Sequence, residues 1–83
     1  MKKNCFILAL TLAFLASCAP KVHLIFDTDL GPDYDDVGAL ALLHALADSG
    51  EVNILATVSS NKDERVVPCI EVLNTYFGRP AIP

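Results

Sequence analysis

The sequence predicts an α/β protein, a Rossmann-like parallel sheet with flanking helices, of which the first β-α-β-α units are present. Two runs rich in β-branched and apolar residues, 22–26 and 52–58, have the length of strands, and each is followed by a stretch of helical length. Turn residues separate all four segments. Polar clusters follow both strands, where ligands bind in open parallel sheets, beyond the carboxyl ends of the strands.

The chain opens with Met1-Lys2-Lys3-Asn4, an apolar run over residues 5–16, and then Ser17-Cys18. A positive start, a short apolar core and small residues at the end describe a secretory signal. The run is shorter than the roughly 20 residues that cross a hydrocarbon core. A core helix is the plainer alternative, but it would leave an apolar cylinder with nothing to pack on.

Leu15-Ala16-Ser17-Cys18 resembles the lipobox of bacterial lipoproteins. The resemblance implies cleavage before Cys18, lipidation of that cysteine and export to the bacterial cell envelope. By the same resemblance, Ala19 at the next position implies the outer membrane or its periplasmic face. Acyl chains contribute about 0.8 kcal/mol per buried methylene, so a multiply acylated Cys18 anchors firmly. The organisation expected is a signal peptide over 1–17, the lipidated cysteine and a tether over 18–21, and a domain segment over 22–83.

Val22-His-Leu-Ile-Phe26 is the first strand, ending at Asp27. Residues 27–36 are a loop, dense in Asp and turned by Gly31 and Pro32. Val37–Ala47 favours a helix, with Asp35 and Asp36 at its N-terminal end, where the dipole accepts negative charge. Asp48-Ser49-Gly50 stops it.

Val52–Val58 is the second strand. Its nearly continuous apolar character is that of a strand covered on both faces. Ser59-Ser60-Asn61 closes it. A second helix is expected over Val66–Phe77, with Pro68 in its first turn, a stripe of Val66, Cys69/Ile70, Leu73 and Phe77, and Gly78 as C-cap. Ala81-Ile82-Pro83 reads as the approach to a third strand, so the segment is expected to be the N-terminal piece of a larger domain.

From Cys18 onward the chain carries four Lys/Arg and ten acids, a net charge of −6. This excludes a nucleic-acid surface, which needs clustered basic charge. Three cysteines, one of them in the leader, form no disulfide framework.

Asp27, Asp29, Asp33, Asp35 and Asp36 place five carboxylates within ten residues, with no Lys or Arg between Lys21 and Lys62. Such crowding is costly without a positive partner. An all-oxygen set selects calcium or magnesium over zinc. A solvated acidic loop, or Asp35 acting as a helix N-cap, is the plainer reading. The loop's position at the end of the first strand favours a metal. An EF-hand is rejected: a frame begun at Asp33 offers Val37 and His44 where oxygen ligands are needed.

Leu24-Ile-Phe-Asp27-Thr28-Asp29-Leu-Gly31-Pro-Asp33-Tyr-Asp35-Asp36-Val-Gly-Ala39-Leu40 resembles the N-terminal signature of the inosine/uridine-preferring nucleoside hydrolases, Asp-Thr-Asp-x-Gly-x-Asp-Asp-x-x-Ala-Leu. Leu55–Asn61 is similar to the family's second strand and its terminal Asn. This chain carries two more residues between Gly31 and the Asp35-Asp36 pair. The resemblance spans about Val22 to Pro83 and implies a calcium-dependent hydrolase that splits ribonucleosides into free base and ribose.

By that resemblance Asp29 and Asp36 ligate calcium, and Asp29 also takes a proton from a calcium-bound water. Asp35 and Asn61 hold the ribose, and Asp27 orients the loop from behind the ligands. The chemistry is coherent, because carboxylates near the ring stabilise an oxocarbenium-like sugar. The family's other ligands and any leaving-group acid lie downstream, so catalysis by these 83 residues alone is not expected.

The expected partners are a ribonucleoside and a membrane reached through Cys18, with a homo-oligomer left open. A haloacid-dehalogenase-like phosphatase is the rival enzyme, since it also places Asp-x-Asp after a first strand. It leaves Asp35-Asp36 unexplained. A non-catalytic, lipid-anchored protein that binds ribose or calcium is the alternative outside enzymes.

His44 and His23 are read as packed or partly exposed histidines and Cys69 as a small core residue. Arg79 is read as a surface charge near the helix cap. Asn61, without the resemblance, is a cap for the turn after the second strand.

Overall fold

The computed structural model describes residues 2–17, 20–31 and 33–83. The element order is α1 (Lys2–Ser17), β1 (Val22–Thr28), α2 (Asp35–Asp48), β2 (Val52–Ser59) and α3 (Val66–Tyr76). β1 and β2 pair in parallel, from Val22 opposite Val52 to Thr28 opposite Ser59, with a register shift between Leu24 and Ile25. The α/β class read from the sequence is the class observed.

α1 holds the lysine-led apolar run, and Phe6, Ile7, Leu8, Leu10 and Leu12 on it are all exposed. It is not a core helix of the described fold. At 16 residues it is about 24 Å long. Among the described residues, no helix is long and apolar enough to cross a membrane. Cys18, the expected lipidation residue, lies outside the described residues.

Each strand runs slightly further than its apolar core predicts, β1 to Thr28 and β2 to Ser59. Backbone pairing continues through polar residues as long as the partner strand continues. α2 begins at Asp35, two residues before the Ala/Leu run, and α3 ends at Tyr76 with Phe77 as its cap.

Both helices end on the same device. The Gly50 and Glu51 amides bond the Ala47 and Leu46 carbonyls, and the Gly78 and Arg79 amides bond those of Thr75 and Asn74. This is the Schellman arrangement, which requires a left-handed residue just past the helix. Gly50 (φ +80°) and Gly78 (φ +84°) supply it.

α2 and α3 pack on one face of the sheet. Leu30, Val66 and Ile70 form a buried cluster with Val37 and Leu73 against it, while Leu40, Val52 and Ile54 are buried nearby. Burying a side chain of this size contributes about 1.5–3 kcal/mol.

The other face is open among the described residues, with Ile25, Leu55 and Val58 at 61%, 48% and 44% exposure. This corrects the expectation that β2 is covered on both sides. An apolar pattern records what a strand can bury, and here both helices dock on the same side. Residues 81–83 run beside the outer edge of β2, where the Thr57 amide bonds the Pro83 carbonyl at 2.8 Å, but they form no strand.

Candidate functional site

The two polar clusters meet at the carboxyl end of the sheet. The Ser60 amide donates to the Thr28 carbonyl at 2.9 Å, extending the β1–β2 pairing into the loops. Asn61 then straps them together. Its Nδ2 donates to the carbonyls of Asp29 and Leu30, each at 3.1 Å, and its Oδ1 accepts the Asp63 amide at 2.9 Å.

Asn61 thus caps the turn after β2, as the plainer reading has it, and also binds the backbone of the acidic loop. Gly31 makes this approach feasible. A Cβ there would sit 3.1 Å from Asn61 Nδ2 and 3.2 Å from the Asp29 carbonyl.

Thr28, the last residue of β1, is 3% exposed. Its hydroxyl donates to Asp36 Oδ2 at 2.5 Å and accepts the Leu30 amide at 3.0 Å. Leu30 is pinned by this bond and plugs the core beside Val66 and Ile70. A charged loop is in this way held by one apolar anchor, one buried hydroxyl and one amide strap.

Of the five expected carboxylates, Asp36 is half-buried, while Asp27, Asp29, Asp33 and Asp35 are exposed. Asp35 and Asp36 occupy the first turn of α2, where unpaired amides favour negative charge. Asp35 is not the N-cap; that position is Tyr34, which makes no side-chain capping bond.

Arg65 does not neutralise the loop. Its guanidinium holds Asp63 at 2.6 and 2.9 Å, and these bonds keep the Asp63 carboxyl well below the usual carboxylate range.

Asp29 and Asp36 offer hard carboxylate oxygens of the type calcium takes, and the Thr28 bond engages one oxygen of Asp36 and leaves the other. Calcium binds six to eight oxygens. Among the described residues no three His, Cys, Asp or Glu side chains converge as a metal-holding group. Asp29 and Asp36 match calcium in donor type alone.

An open groove of about 360 Å³ adjoins the loop between Leu30, Gly31, Asn61, Arg65 and Cys69. It takes in Asn61 but none of the five loop aspartates. Cys69 is exposed on its wall, not in the core as expected. The buried stripe of α3 runs Val66, Ile70, Asn74, and Cys69 stands about 100° away from Ile70 on the helix.

Away from the site, His44 is buried at 1% exposure. It faces Asn74 Oδ1 at 2.8 Å, receives Arg79 at 3.2 Å on Nδ1 and stacks on Phe77 at 4.9 Å. His23 is exposed in β1, with Asn53 Nδ2 at 3.2 Å from its Nδ1. Arg79 is more than the surface charge expected, since it spans His44 and Asp48, the latter at 2.7 Å. The Schellman turn folds it back over the end of α2.

Thr28 as a hub and Asn74 as a buried polar residue are not expected from the sequence. The first had a signal, a hydroxyl between two strand-end aspartates. The second stands four residues after Ile70, on the face that must be buried. Comparison of the chain with family models, with curated proteins and with solved structures found no match.

Proposed function

We propose that this chain carries the N-terminal half-site of a calcium-dependent ribonucleoside hydrolase, exported and anchored to the bacterial envelope through lipidated Cys18. The single observation that supports the reading most is the placement of the Asp27-Thr28-Asp29 and Asp35-Asp36 groups. The first ends a parallel strand, the second opens the next helix, and a buried hydroxyl joins them.

In this reading Asp29 and Asp36 would hold the cation through their carboxylate oxygens. Calcium, when bound, orients a water and the ribose hydroxyls. Asp29 takes the proton of the attacking water at a carboxylate oxygen, acting as general base. Asp35, exposed in the first turn of α2, accepts a ribose hydroxyl. Asn61 spends both amide protons on the loop but keeps a lone pair on Oδ1 for the sugar. Asp27, inside β1, steadies the strand end from behind. The developing positive charge on the sugar faces this group of carboxylates.

The test uses the full-length protein with purine and pyrimidine ribonucleosides, following free base and ribose with calcium present and after chelation. Release that needs calcium and is lost in Asp29→Ala supports the reading. Magnesium-dependent release of phosphate from phosphate esters, with nucleosides untouched, overturns it in favour of a phosphatase. Calcium binding without turnover overturns the catalytic part and leaves a binding protein. Export is tested by labelling with a palmitate analogue, which should be lost in Cys18→Ala.

A further inference from the structure

We propose that Thr28 is a positioning residue for Asp36, fixing by its hydroxyl which carboxylate oxygen is presented to the cation. The inference rests on the reading of Asp36 as a calcium ligand and deepens it. A hydroxyl carries one proton and two lone pairs. In Thr28 the Leu30 amide occupies a lone pair at 3.0 Å, and the proton goes to Asp36 Oδ2 at 2.5 Å.

The direction of the bond is therefore set by the fold and not by the ligand. A hydroxyl that already receives an N–H, and sits against a carboxylate, has its proton turned toward that carboxylate. Thr28 is 3% exposed, so little bulk water competes for the hydroxyl. Oδ2 is thereby engaged, and Oδ1 is left for a metal.

The backbone of Thr28 is equally fixed, by its place in β1 and by the Ser60 amide on its carbonyl. The hydroxyl is a rigid reference point from which the first turn of α2 is aimed. Partners that hydrogen-bond a metal-ligating carboxylate typically change metal affinity about 10- to 100-fold when removed.

The experiment compares Thr28→Ser and Thr28→Ala in the full-length protein by calorimetric titration with calcium alone, beside thermal unfolding without calcium. Both variants lose the γ-methyl, and they differ only in the hydroxyl. Thr28→Ser should bind calcium within a few-fold of the unaltered protein. Thr28→Ala should bind about 10- to 100-fold more weakly, beyond any difference in unfolding temperature.

Equal calcium affinity in the two variants overturns the inference, because packing alone would then account for Thr28. If Thr28→Ala fails to fold, Thr28→Val, which keeps the side-chain volume, replaces it in the same comparison with the same expectation. Asp36→Ala separates the two levels. Loss of calcium binding there with equal affinities in Ser and Ala overturns only the role of Thr28. Unchanged calcium binding in Asp36→Ala overturns the ligand reading, and the inference with it.

Discussion

His44 Nε2 lies 2.8 Å from Asn74 Oδ1, joining the middle of α2 to the last turn of α3 through two side chains that are almost wholly buried. The neighbouring donors and acceptors assign the ring's tautomer. Arg79 donates to Nδ1, so Nδ1 accepts and Nε2 carries the proton toward Asn74. Asn74 passes the chain on, donating from Nδ2 to Thr57 Oγ1 at 3.1 Å in β2. Helix, helix and strand are thus tied by three polar residues, none left without a partner among the described residues.

This relationship predicts a strong coupling. Asn74→Leu should lower unfolding stability by about 1–3 kcal/mol, because it strands the His44 N–H in the interior. The double variant His44→Phe with Asn74→Leu should lose less than the sum of the two single changes, since it removes both partners together. Denaturant titration of the four proteins measures the coupling, and strict additivity would count against the network.

Gly31→Ala should loosen the strap between the loops. The added methyl meets Asn61 Nδ2 and the Asp29 carbonyl, so the amide must move. A cost of about 1–3 kcal/mol is expected from such overpacking. Asn61→Ala removes the obstacle, and in that background Gly31→Ala should cost less. Thermal unfolding of the two single variants and the double variant decides it.

Asp63 should stay ionised at a pH where ordinary exposed aspartates have taken up a proton. The hydrogen bonds from Arg65 to its side chain are the chief cause, and they hold its folded-state pKa below the unfolded value. A depressed carboxylate contributes its stabilisation above the unfolded pKa and loses it as pH falls through the folded one. The pair lies in solvent, so salt and water weaken that contribution. NMR titration of the Asp63 side chain should show the depressed midpoint, returning toward the ordinary range in Arg65→Gln.

Cys69 should react with a thiol reagent in the folded protein, since it lines an open groove on α3. Mapping of the labelled peptide under native conditions measures this. Cys69→Ser should leave stability within about 0.5 kcal/mol, as for an ordinary surface change. A cysteine packed in the core would resist the reagent and pay more for the added polarity.

Much of the candidate site was legible because its residues are neighbours in sequence. Asp27 to Asp36 fall in one ten-residue stretch running from the end of β1 to the first turn of α2, and the connection after an apolar strand has to lie at the end of the sheet. The strap by Asn61 was not legible. It depends on the Ser60 amide pairing with Thr28 across 32 residues, a contact that exists only once the strands are in register. Cys69 was expected on the wrong side of α3, and Arg79, near the cap as expected, reaches further than a local pattern shows, to His44 and Asp48. Helical spacing gives a face to within about one residue, and a cap residue's reach depends on where the next turn sends it.

By itself the sequence determined the alternation of strands and helices, the stops at Gly50 and Gly78, and the acidic character of the strand-end loop. These follow from periodicity, backbone freedom and local charge, all of which act over a few residues. Tertiary structure decided that both helices share one face of the sheet, that Thr28 rather than a lysine or arginine meets Asp36, and that His44, Asn74 and Arg79 form one network. Each of those facts joins residues eight to thirty-five positions apart. Chain packing brings such pairs together, and no local pattern encodes the distance between them.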